Sequence, residues 1–185
     1  MSRDQKSSGK MDPSSKNGSS ETVEPSTDQE VEASGGRVSE GEAVSNFGSD
    51  GQETLESLVE RVKSHPDSDR SGAISTFTGR VRVKDSDDDV ETTELEFDRY
   101  EGLAEEKARE ISRELEDRDG VFRVLMHHKV GEVEAEEDIV HVVVLAGHRR
   151  EAFDTVEDGI NRLKDRVPIF KKEVTTQGEV WDHEK

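Results

Sequence analysis

Apolar residues recur along much of the chain at spacings of three and four positions, which is typical of one face of a helix. The segments with this spacing are residues 55–62, 102–117 and about 150–166. Pro66 follows the first segment, Gly120 the second and Pro168 the third, so each segment is followed by a residue that ends helices. The pattern therefore predicts three amphipathic helices. The buried stripe of the third is predicted to consist of Phe153, Val156, Ile160 and Leu163.

Between the predicted helices, β-branched and aromatic residues alternate with polar residues, as is typical of strands. Strands are predicted at residues 71–82, 93–100, 121–128, 138–147, 169–176 and 179–182, with a short strand or a turn at 130–133. The first of these is bounded by glycines and is predicted to be largely buried. The run 138–147 is almost continuously apolar, as expected for a central strand.

The order of these elements predicts a fold class. Strands interleave with helices, but no β-α-β unit repeats, and no Gly-rich phosphate-binding sequence follows a strand. We therefore expect an α+β fold in which one mixed, mainly antiparallel sheet packs against helices.

Residues 1–50 have neither pattern. They are rich in Ser and Gly, and their only aromatic residue is Phe47. Such a segment cannot bury enough apolar surface to offset the entropy lost on ordering, so we expect a disordered N-terminal tail. The folded domain is predicted to span residues 51–185.

The chain is strongly acidic, with 45 Asp and Glu residues against 26 Lys and Arg and a net charge of −19. The predicted tail holds 10 of the acids and 5 of the bases, which leaves a net charge of −14 on residues 51–185. A surface of this density fits a high-salt cytoplasm, where charge maintains solubility. It argues against general nucleic-acid binding, which requires clustered positive charge over a large face.

Several classes of site and location are also excluded. The chain has no cysteine, so disulfides, thiolate catalysis and cysteine-ligated metal centres are ruled out. His127 and His128 are adjacent in a predicted strand, so their side chains leave on opposite faces and predict no shared metal site. No apolar run is long enough to span a membrane, and the N-terminus lacks the apolar core of a signal peptide. The protein is therefore expected in the cytoplasm.

Positive charge is concentrated in residues 147–173 of this acidic chain, which indicates an anion-binding site. Lys164 lies at the border of the apolar stripe of the third helix, where it could also be an ordinary lysine that extends to solvent. Lys171 and Lys172 are neighbours in a predicted strand, so they point to opposite faces. Two lysines on either side of Pro168 could converge on a phosphate or on a developing oxyanion.

Other polar residues occupy positions where ligands commonly bind. His148 and Arg149 lie between a predicted strand and the following helix, where backbone N–H groups are available. Arg82 ends the first long strand. Glu173 is two residues beyond Lys171, on the same predicted strand face, and would pair with it. Taken singly, His148 could equally be a capping or surface histidine, and Arg82 an ordinary strand-end arginine.

Four sequence blocks and one tryptophan together resemble the large, catalytic subunit of molybdopterin synthase, the MoaE family. They are TFTGRVR (76–82), HKVGEV (128–133), GHRREAF (147–153) and LKDRVPIFKKE (163–173), followed by Trp181. The resemblance covers roughly residues 51–185 and implies an α/β-hammerhead-like fold. The strand that relatives carry before the first helix is not evident in this sequence.

The resemblance implies a sulfurtransferase of molybdenum-cofactor biosynthesis. Sulfur would come from the C-terminal Gly-Gly thiocarboxylate of a small ubiquitin-like subunit. Its acceptor would be cyclic pyranopterin monophosphate, which becomes the dithiolene of molybdopterin. The resemblance implies no resident cofactor and no metal. It implies a homodimer of large subunits with a small subunit at each end, which together form a heterotetramer.

The resemblance also implies roles for individual residues. Catalysis is assigned to Lys164 and Lys171. Substrate binding is assigned to Arg82, His148, Arg149, Phe77 and Glu173. Two alternatives remain at this point: a domain that docks a ubiquitin-like protein without catalysis, and a phosphate-binding protein that needs no partner.

Overall fold

The computed structural model of the chain describes residues 46–47, 53–84 and 90–182. The elements in chain order are β1 (Asn46–Phe47), α1 (Leu55–Lys63), β2 (Ala73–Arg80), β3 (Thr92–Arg99), α2 (Leu103–Glu116), β4 (Val121–His128), β5 (Gly131–Glu134), β6 (Asp138–Ala146), α3 (Arg149–Arg166), β7 (Ile169–Thr175) and β8 (Gly178–Asp182). A short 3-10 helix, Pro66–Arg70, follows α1. The three predicted helices and the predicted strands are therefore confirmed.

Strand β1 was not expected from the sequence. Its two residues pair in parallel with the end of β4. Two residues in a Ser- and Gly-rich segment show no alternation, so only the pairing with β4 reveals the strand. The rest of the predicted tail lies outside the described residues, and its disorder stays a prediction.

The strands form two four-stranded sheets, so the expectation of one sheet was wrong, whereas the mixed, mainly antiparallel α+β class is confirmed. The first sheet has the order β1-β4-β6-β2, and the second has the order β5-β3-β7-β8. Only the β1–β4 pair is parallel among the described pairs. Alternation along a strand predicts which face is buried but not which strands pair, so the sequence could not separate the two sheets.

Helices cover both faces of the first sheet. Helix α1 packs Leu58 and Val62 on one face, and α2 and α3 cover the other. Strand β6 lies between β4 and β2 and is buried along most of its length, which explains its continuous apolar run. Strand β2 is an edge strand in which Ser75 alone is buried, so the expectation that the strand is largely buried was wrong.

The buried face of α3 differs from the predicted stripe. Phe153 is 60% exposed, which corrects its predicted burial. The buried residues of α3 are Ala152, Thr155, Gly159, Ile160 and Leu163. A Cβ atom at Gly159 would lie 3.2 Å from Val142 Cγ1, so the helix and the sheet approach closely at this point. Ile160 and Leu163 are buried as predicted, but Ala152 and Gly159 share the contact face, and an apolar pattern does not reveal such small residues.

Ion pairs between α2 and α3 explain part of the basic segment. Glu114 pairs with Arg162 and with Arg166, each at 2.6 Å. Asp158 pairs with Arg162 at 2.9 Å and also with Arg118. The hydrogen bond from Arg166 lowers the pKa of the Glu114 carboxyl. Arg162 and Arg166 thus hold two helices together and are not available as ligands for an anion.

We predict that Gly72→Ala destabilises the fold, because the segment before β2 crosses the end of β6 at very short range. A Cβ atom at Gly72 would lie 2.5 Å from the carbonyl oxygen of Gly147, which is backbone and cannot rotate away. The expected loss in the free energy of unfolding is about 1–3 kcal/mol, measured by chemical denaturation. The matched control is Gly147→Ala, whose Cβ would meet nothing closer than 3.8 Å. Equal stability of the two variants would contradict this prediction.

Candidate active site

A cavity of about 540 Å³ lies where the two sheets meet the C-terminal end of α3. Strands β2, β3, β6 and β7 contribute to its walls, together with the last residue of β4. The lining residues are Phe77, Thr78, Gly79, Arg80, Arg82, Thr92, Leu95, Phe97, His128, Ile139, Val140, Leu163, Lys164, Val167, Ile169, Lys171 and Glu173.

The wall contributed by β2 depends on an irregularity in its pairing. The register with β6 shifts between Gly79 and Arg80, which is the mark of a β-bulge. On one side of the bulge Phe77 packs against the core of the first sheet, and on the other Val81 is buried in the core of the second. The bulge is therefore the point where the chain passes from one sheet to the other.

Gly79 is required by close packing at the bulge. A Cβ atom at this position would lie 2.7 Å from Val140 Cγ1 and 3.4 Å from Phe77 Cε1. The absent side chain leaves room for the Phe77 ring, which lines the cavity beside it. Crowding at the bulge therefore explains why a glycine occupies this position.

Lys171 and Glu173 lie on the inner face of the second sheet. In the β3–β7 pairing, Lys171 is opposite Phe97 and Glu173 is opposite Leu95. The Glu173 carboxylate accepts a hydrogen bond from the Thr92 hydroxyl. Both side chains therefore belong to the wall of the cavity, as their spacing of two residues requires.

The neighbouring lysine points the other way, as predicted. The Lys172 ammonium pairs with Glu96 and lies 3.6 Å from Glu179. It also lies 5.7 Å from the centre of the Trp181 ring. Lys172 therefore belongs to the outer face of the second sheet and takes no part in the cavity.

Lys164 lies in the last turn of α3. Its side chain is exposed to solvent and also forms part of the cavity wall. In the described part of the chain it forms no ion pair. By contrast, each of five other described lysines pairs with a carboxylate: Lys63, Lys84, Lys107, Lys129 and Lys172. In a chain this acidic, an ammonium group without a carboxylate partner is available to bind an anion.

The charge of the cavity is opposite to that of the chain. Its wall carries four basic side chains, Arg80, Arg82, Lys164 and Lys171, against the single carboxylate of Glu173. Arg80 is engaged with Asp138 at 3.1 Å. The arrangement favours an anionic ligand, because the local cations outweigh the distant surface acids.

Two predicted site residues do not reach this cavity. His148 is the N-cap of α3 and Arg149 is its first residue, and both are exposed. Lys164 is sixteen residues after His148, so the two lie about 24 Å apart along the helix axis. The structure thus brings five of the seven predicted residues together and leaves His148 and Arg149 at the opposite end of the helix.

The cavity also contains residues that sequence reasoning did not select, and His128 is the one with unusual chemistry. It is 6% exposed, and burial lowers the pKa of its imidazole to about 4. Its Nδ1 lies 2.6 Å from the carbonyl oxygen of Lys129, and its ring packs edge-on against Phe97 at 4.9 Å. His128 is the first residue of the HKVGEV block, but its position next to His127 in a strand predicts only that the two side chains leave on opposite faces.

Two negative findings apply to the described residues. No group of three or more histidine, aspartate and glutamate side chains among them could hold a metal ion. None of the helices among them is both long enough and apolar enough to cross a membrane.

The sequence of this chain matches a known protein family. The sequence profile of the MoaE protein family matches residues 50–166, which is more than half of the chain. This chain belongs to the MoaE family. The resemblance found in the four sequence blocks is therefore confirmed at the level of the family.

Two relatives extend this finding. A probable molybdopterin synthase of Haloferax volcanii is 67% identical over 132 residues, which cover 71% of this chain and 51% of the relative. This chain therefore spans about half the length of that relative. The molybdopterin synthase catalytic subunit of Pyrococcus abyssi is 38% identical over 114 residues, which cover 62% of this chain and 76% of the relative.

A solved structure supports the fold. It is a complex of subunits 1 and 2 of the molybdopterin-converting factor from Helicobacter pylori, with a TM-score of 0.58 and 23% identity. The match covers 75% of this chain and 88% of that one. The α+β fold of this MoaE family member is thus shared with a protein that was solved together with another subunit.

We predict that the burial of His128 makes the stability of the fold depend on pH. In the folded protein, the pKa of His128 is about 4, so the imidazole is protonated only below that pH. In the unfolded chain its pKa is about 6.5. The unfolded state therefore binds more protons between these values, and stability is full above pH 6.5 and falls as the pH is lowered. The shift corresponds to about 3 kcal/mol.

The measurement is denaturant unfolding at pH 7 and pH 5 at constant salt concentration. His128→Gln should lose less stability over this interval than the wild type. Some dependence should remain, because burial also lowers the pKa of His141 and of His65. Identical losses in the two proteins would contradict the role assigned to His128.

Proposed function

We propose that this protein is the catalytic subunit of a molybdopterin synthase. It would transfer sulfur from the C-terminal thiocarboxylate of a small ubiquitin-like subunit to cyclic pyranopterin monophosphate. The product would carry the dithiolene of molybdopterin. The proposal combines membership of the MoaE family, the activity for which the relatives are named and the chemistry of the cavity. Its expected place in the cytoplasm remains a prediction.

The observation that carries the proposal is the cluster of cations in the cavity. Both of its proposed ligands are anions, a cyclic phosphate and a thiocarboxylate. Lys164, Lys171 and Arg82 converge on one cavity, although the chain as a whole has a net charge of −19. A site that bound only an uncharged ligand would not require this reversal of charge.

Lys164 is the residue that we place at the reacting atoms. The thiocarboxylate sulfur would displace an oxygen substituent from a substrate carbon to form a thioester, and water would then cleave the thioester, leaving the sulfur on the substrate and a carboxylate on the partner. Attack of water on the thioester carbon places negative charge on its oxygen, and a fixed ammonium group stabilises that charge. Lys171 lies across the cavity on β7 and would supply a second cation. The hydrogen bond from Thr92 holds the Glu173 carboxylate on the same strand face, where it would orient Lys171 or the substrate.

Phe77 and Arg82 would bind the pyranopterin. The Phe77 ring provides a flat apolar surface beside Gly79, and Arg82 lies on the exposed side of the cavity, where a phosphate can be reached from solvent. A guanidinium group suits this role, because it can donate two parallel hydrogen bonds to one phosphate.

The sulfur source would be a separate protein. The chain has no cysteine to carry sulfur itself. Each thiocarboxylate carries one sulfur atom, so one dithiolene consumes two partner molecules. The Helicobacter pylori structure holds two subunits of a molybdopterin-converting factor, and we propose an equivalent small subunit for this chain.

A homodimer would explain His148 and Arg149. They cannot reach the cavity of their own chain, because about 24 Å of helix lies between them and Lys164. Phe153 lies one turn after Arg149 on the same helix face and is 60% exposed, which suits a protein–protein contact. We propose that a second copy of the chain brings these two residues to the cavity, within a heterotetramer of two large and two small subunits.

We predict that Lys164→Ala lowers dithiolene formation about a hundredfold or more while the small subunit still binds. The reason is the loss of the cation nearest the developing charge, an effect of known size for single donors in active sites. The measurement is product formation with thiocarboxylated small subunit and cyclic pyranopterin monophosphate, with binding followed by calorimetry. Lys164→Arg keeps the charge and should lose less activity.

The matched control is Lys63→Ala, which removes an exposed lysine on α1 that pairs with Glu60 outside the cavity. It should react at the wild-type rate. Unchanged turnover in Lys164→Ala would refute the assignment. If wild-type protein bound the small subunit but formed no product, the chain would instead be a docking module without catalysis.

We predict that two inactive variants restore activity when they are mixed. Lys164→Ala and Arg149→Ala each lose one half of a site shared between two chains. A mixed dimer then contains one site in which both residues are intact, so random exchange should recover roughly a quarter of wild-type activity. Subunits are exchanged by mild denaturation and refolding of the mixture. Full activity of Arg149→Ala alone, or no recovery on mixing, would exclude a shared site.

A further inference from the structure

Thr92 belongs to the cavity wall because of a second irregularity in strand pairing. The register of β3 with β7 shifts between Thr92 and Glu94, which is the mark of a β-bulge. Leu95 and Phe97 lie on the inner face of the second sheet, so strict alternation would place Thr93 on that face next. Instead Thr92 is 6% exposed and Thr93 is exposed. The bulge therefore directs the side chain of Thr92 inward in place of that of Thr93.

Thr92 is held through its backbone and holds Glu173 through its side chain. Its N–H donates a hydrogen bond of 2.8 Å to the carbonyl oxygen of Val83. Its hydroxyl donates a hydrogen bond to Oε1 of Glu173, and both residues line the cavity. The contact with a buried, anchored donor therefore fixes where the Glu173 carboxylate lies.

Glu173 does not pair with Lys171, which corrects the pairing expected from their spacing on one strand face. In the described part of the chain, the Glu173 carboxylate accepts the hydrogen bond from Thr92 and forms no ion pair. A carboxylate in a wall with four cationic side chains also weakens the binding of anions. Its presence there is explained only if it contributes something other than anion binding.

The chemistry that a carboxylate adds to this cavity is the ability to accept a proton. The four cationic side chains of the wall already carry their protons, and Glu173 is the one carboxylate among the lining residues. His128 also has a basic nitrogen, but it is 6% exposed, whereas Glu173 is half-buried and can be reached by water. Proton transfer to a side chain requires that the carboxylate be held within hydrogen-bond reach of the proton it removes.

The second step of the proposed reaction requires a proton acceptor, because water must lose a proton as it cleaves the thioester. We propose that Thr92 is a positioning residue that holds the Glu173 carboxylate as the acceptor of this proton. The water oxygen forms a C–O bond to the acyl carbon of the partner, and the C–S bond breaks. Sulfur leaves on the substrate with the electron pair, and one proton of the water passes to Glu173. The inference rests on the proposed function for both substrates, and it adds the base and the residue that fixes it.

Substitutions of Thr92 separate the hydrogen bond from the shape of the side chain. Thr92→Val removes the donor and keeps the branched shape, so the carboxylate loses its anchor. Thr92→Ser retains the hydroxyl and should recover most of the wild-type rate. The matched control is Thr93→Val, which removes a hydroxyl of the next residue that donates to the carbonyl oxygen of Val174 at 3.1 Å on the exposed side.

The experiment follows the thioester between the small subunit and the substrate by mass spectrometry, in single-turnover reactions with thiocarboxylated small subunit and cyclic pyranopterin monophosphate. Thr92→Val should slow thioester cleavage about tenfold, the effect of one lost hydrogen bond, so the thioester should accumulate. Glu173→Gln should slow cleavage about a hundredfold or more, because the base is lost. Thr93→Val should cleave the thioester at the wild-type rate. Similar midpoints of denaturant unfolding in Thr92→Val and Thr93→Val would exclude loss of the fold as the cause.

A double variant tests whether Thr92 acts through Glu173. When Glu173→Gln is already present, adding Thr92→Val should slow cleavage by less than about twofold, because the group that Thr92 positions has been removed. A further tenfold loss in the double variant would make the effect of Thr92 independent of Glu173 and overturn the inference. The same conclusion would follow if Thr92→Ser were as slow as Thr92→Val, or if Thr92→Val cleaved the thioester as fast as the wild type.

Failure of the proposed function would have a different signature. Wild-type protein that formed neither thioester nor dithiolene would refute the proposed function, and the proton acceptor with it. Wild-type protein that formed dithiolene, beside a Glu173→Gln variant that formed it equally fast without accumulating thioester, would refute only the inference. Sulfur transfer in this cavity would then stand without a role for Thr92 or Glu173 in the cleavage step.

Discussion

The passage of the chain from one sheet to the other at the Gly79–Arg80 bulge is the constraint on which the site depends. On one side of it, Phe77 packs against the first core, and on the other, Val81 is buried in the second. Because the two sheets meet at this point without merging, the cavity lies between them, and β3, β7 and the end of α3 supply its remaining walls. Crowding at Gly79 explains why a glycine is needed there.

Charge acts on two scales in this protein. The acids that give the chain its net charge of −19 act over a distance, but salt at about 1 M shortens the screening length to about 3 Å. Under such conditions the surface acids do not repel an anionic substrate, and only direct contacts count. The cations of the cavity are placed for direct contact, whereas Arg162 and Arg166 are paired with Glu114 between two helices. The same basic segment of sequence thus divides into side chains that line the cavity, Lys164 and Lys171, and side chains that form structural ion pairs.

Most of the helices and strands, and the family itself, could be predicted from the sequence. Helices and strands leave periodic patterns, and the four sequence blocks of the family are short and distinctive. The opposite orientations of Lys171 and Lys172 followed from strand geometry alone. The burial of Phe153 was predicted wrongly, because α3 contacts the sheet through small residues such as Gly159. The division into two sheets and the distance of His148 from Lys164 depend on tertiary pairing. His128 was missed because its chemistry arises from burial and from one backbone carbonyl, and neither is visible in the sequence.

The central claim is that sulfur is transferred from the small subunit to the substrate in the cavity beside Lys164. A crystal structure of this protein with the small subunit and its C-terminal tail would test that claim most directly. The account predicts that the tail enters the cavity and that its terminal glycine carbon lies within about 3.5 Å of the Lys164 ammonium, the distance of a productive encounter. A tail that instead lay along the outer face of the second sheet, beside Lys172 and Trp181, would contradict it.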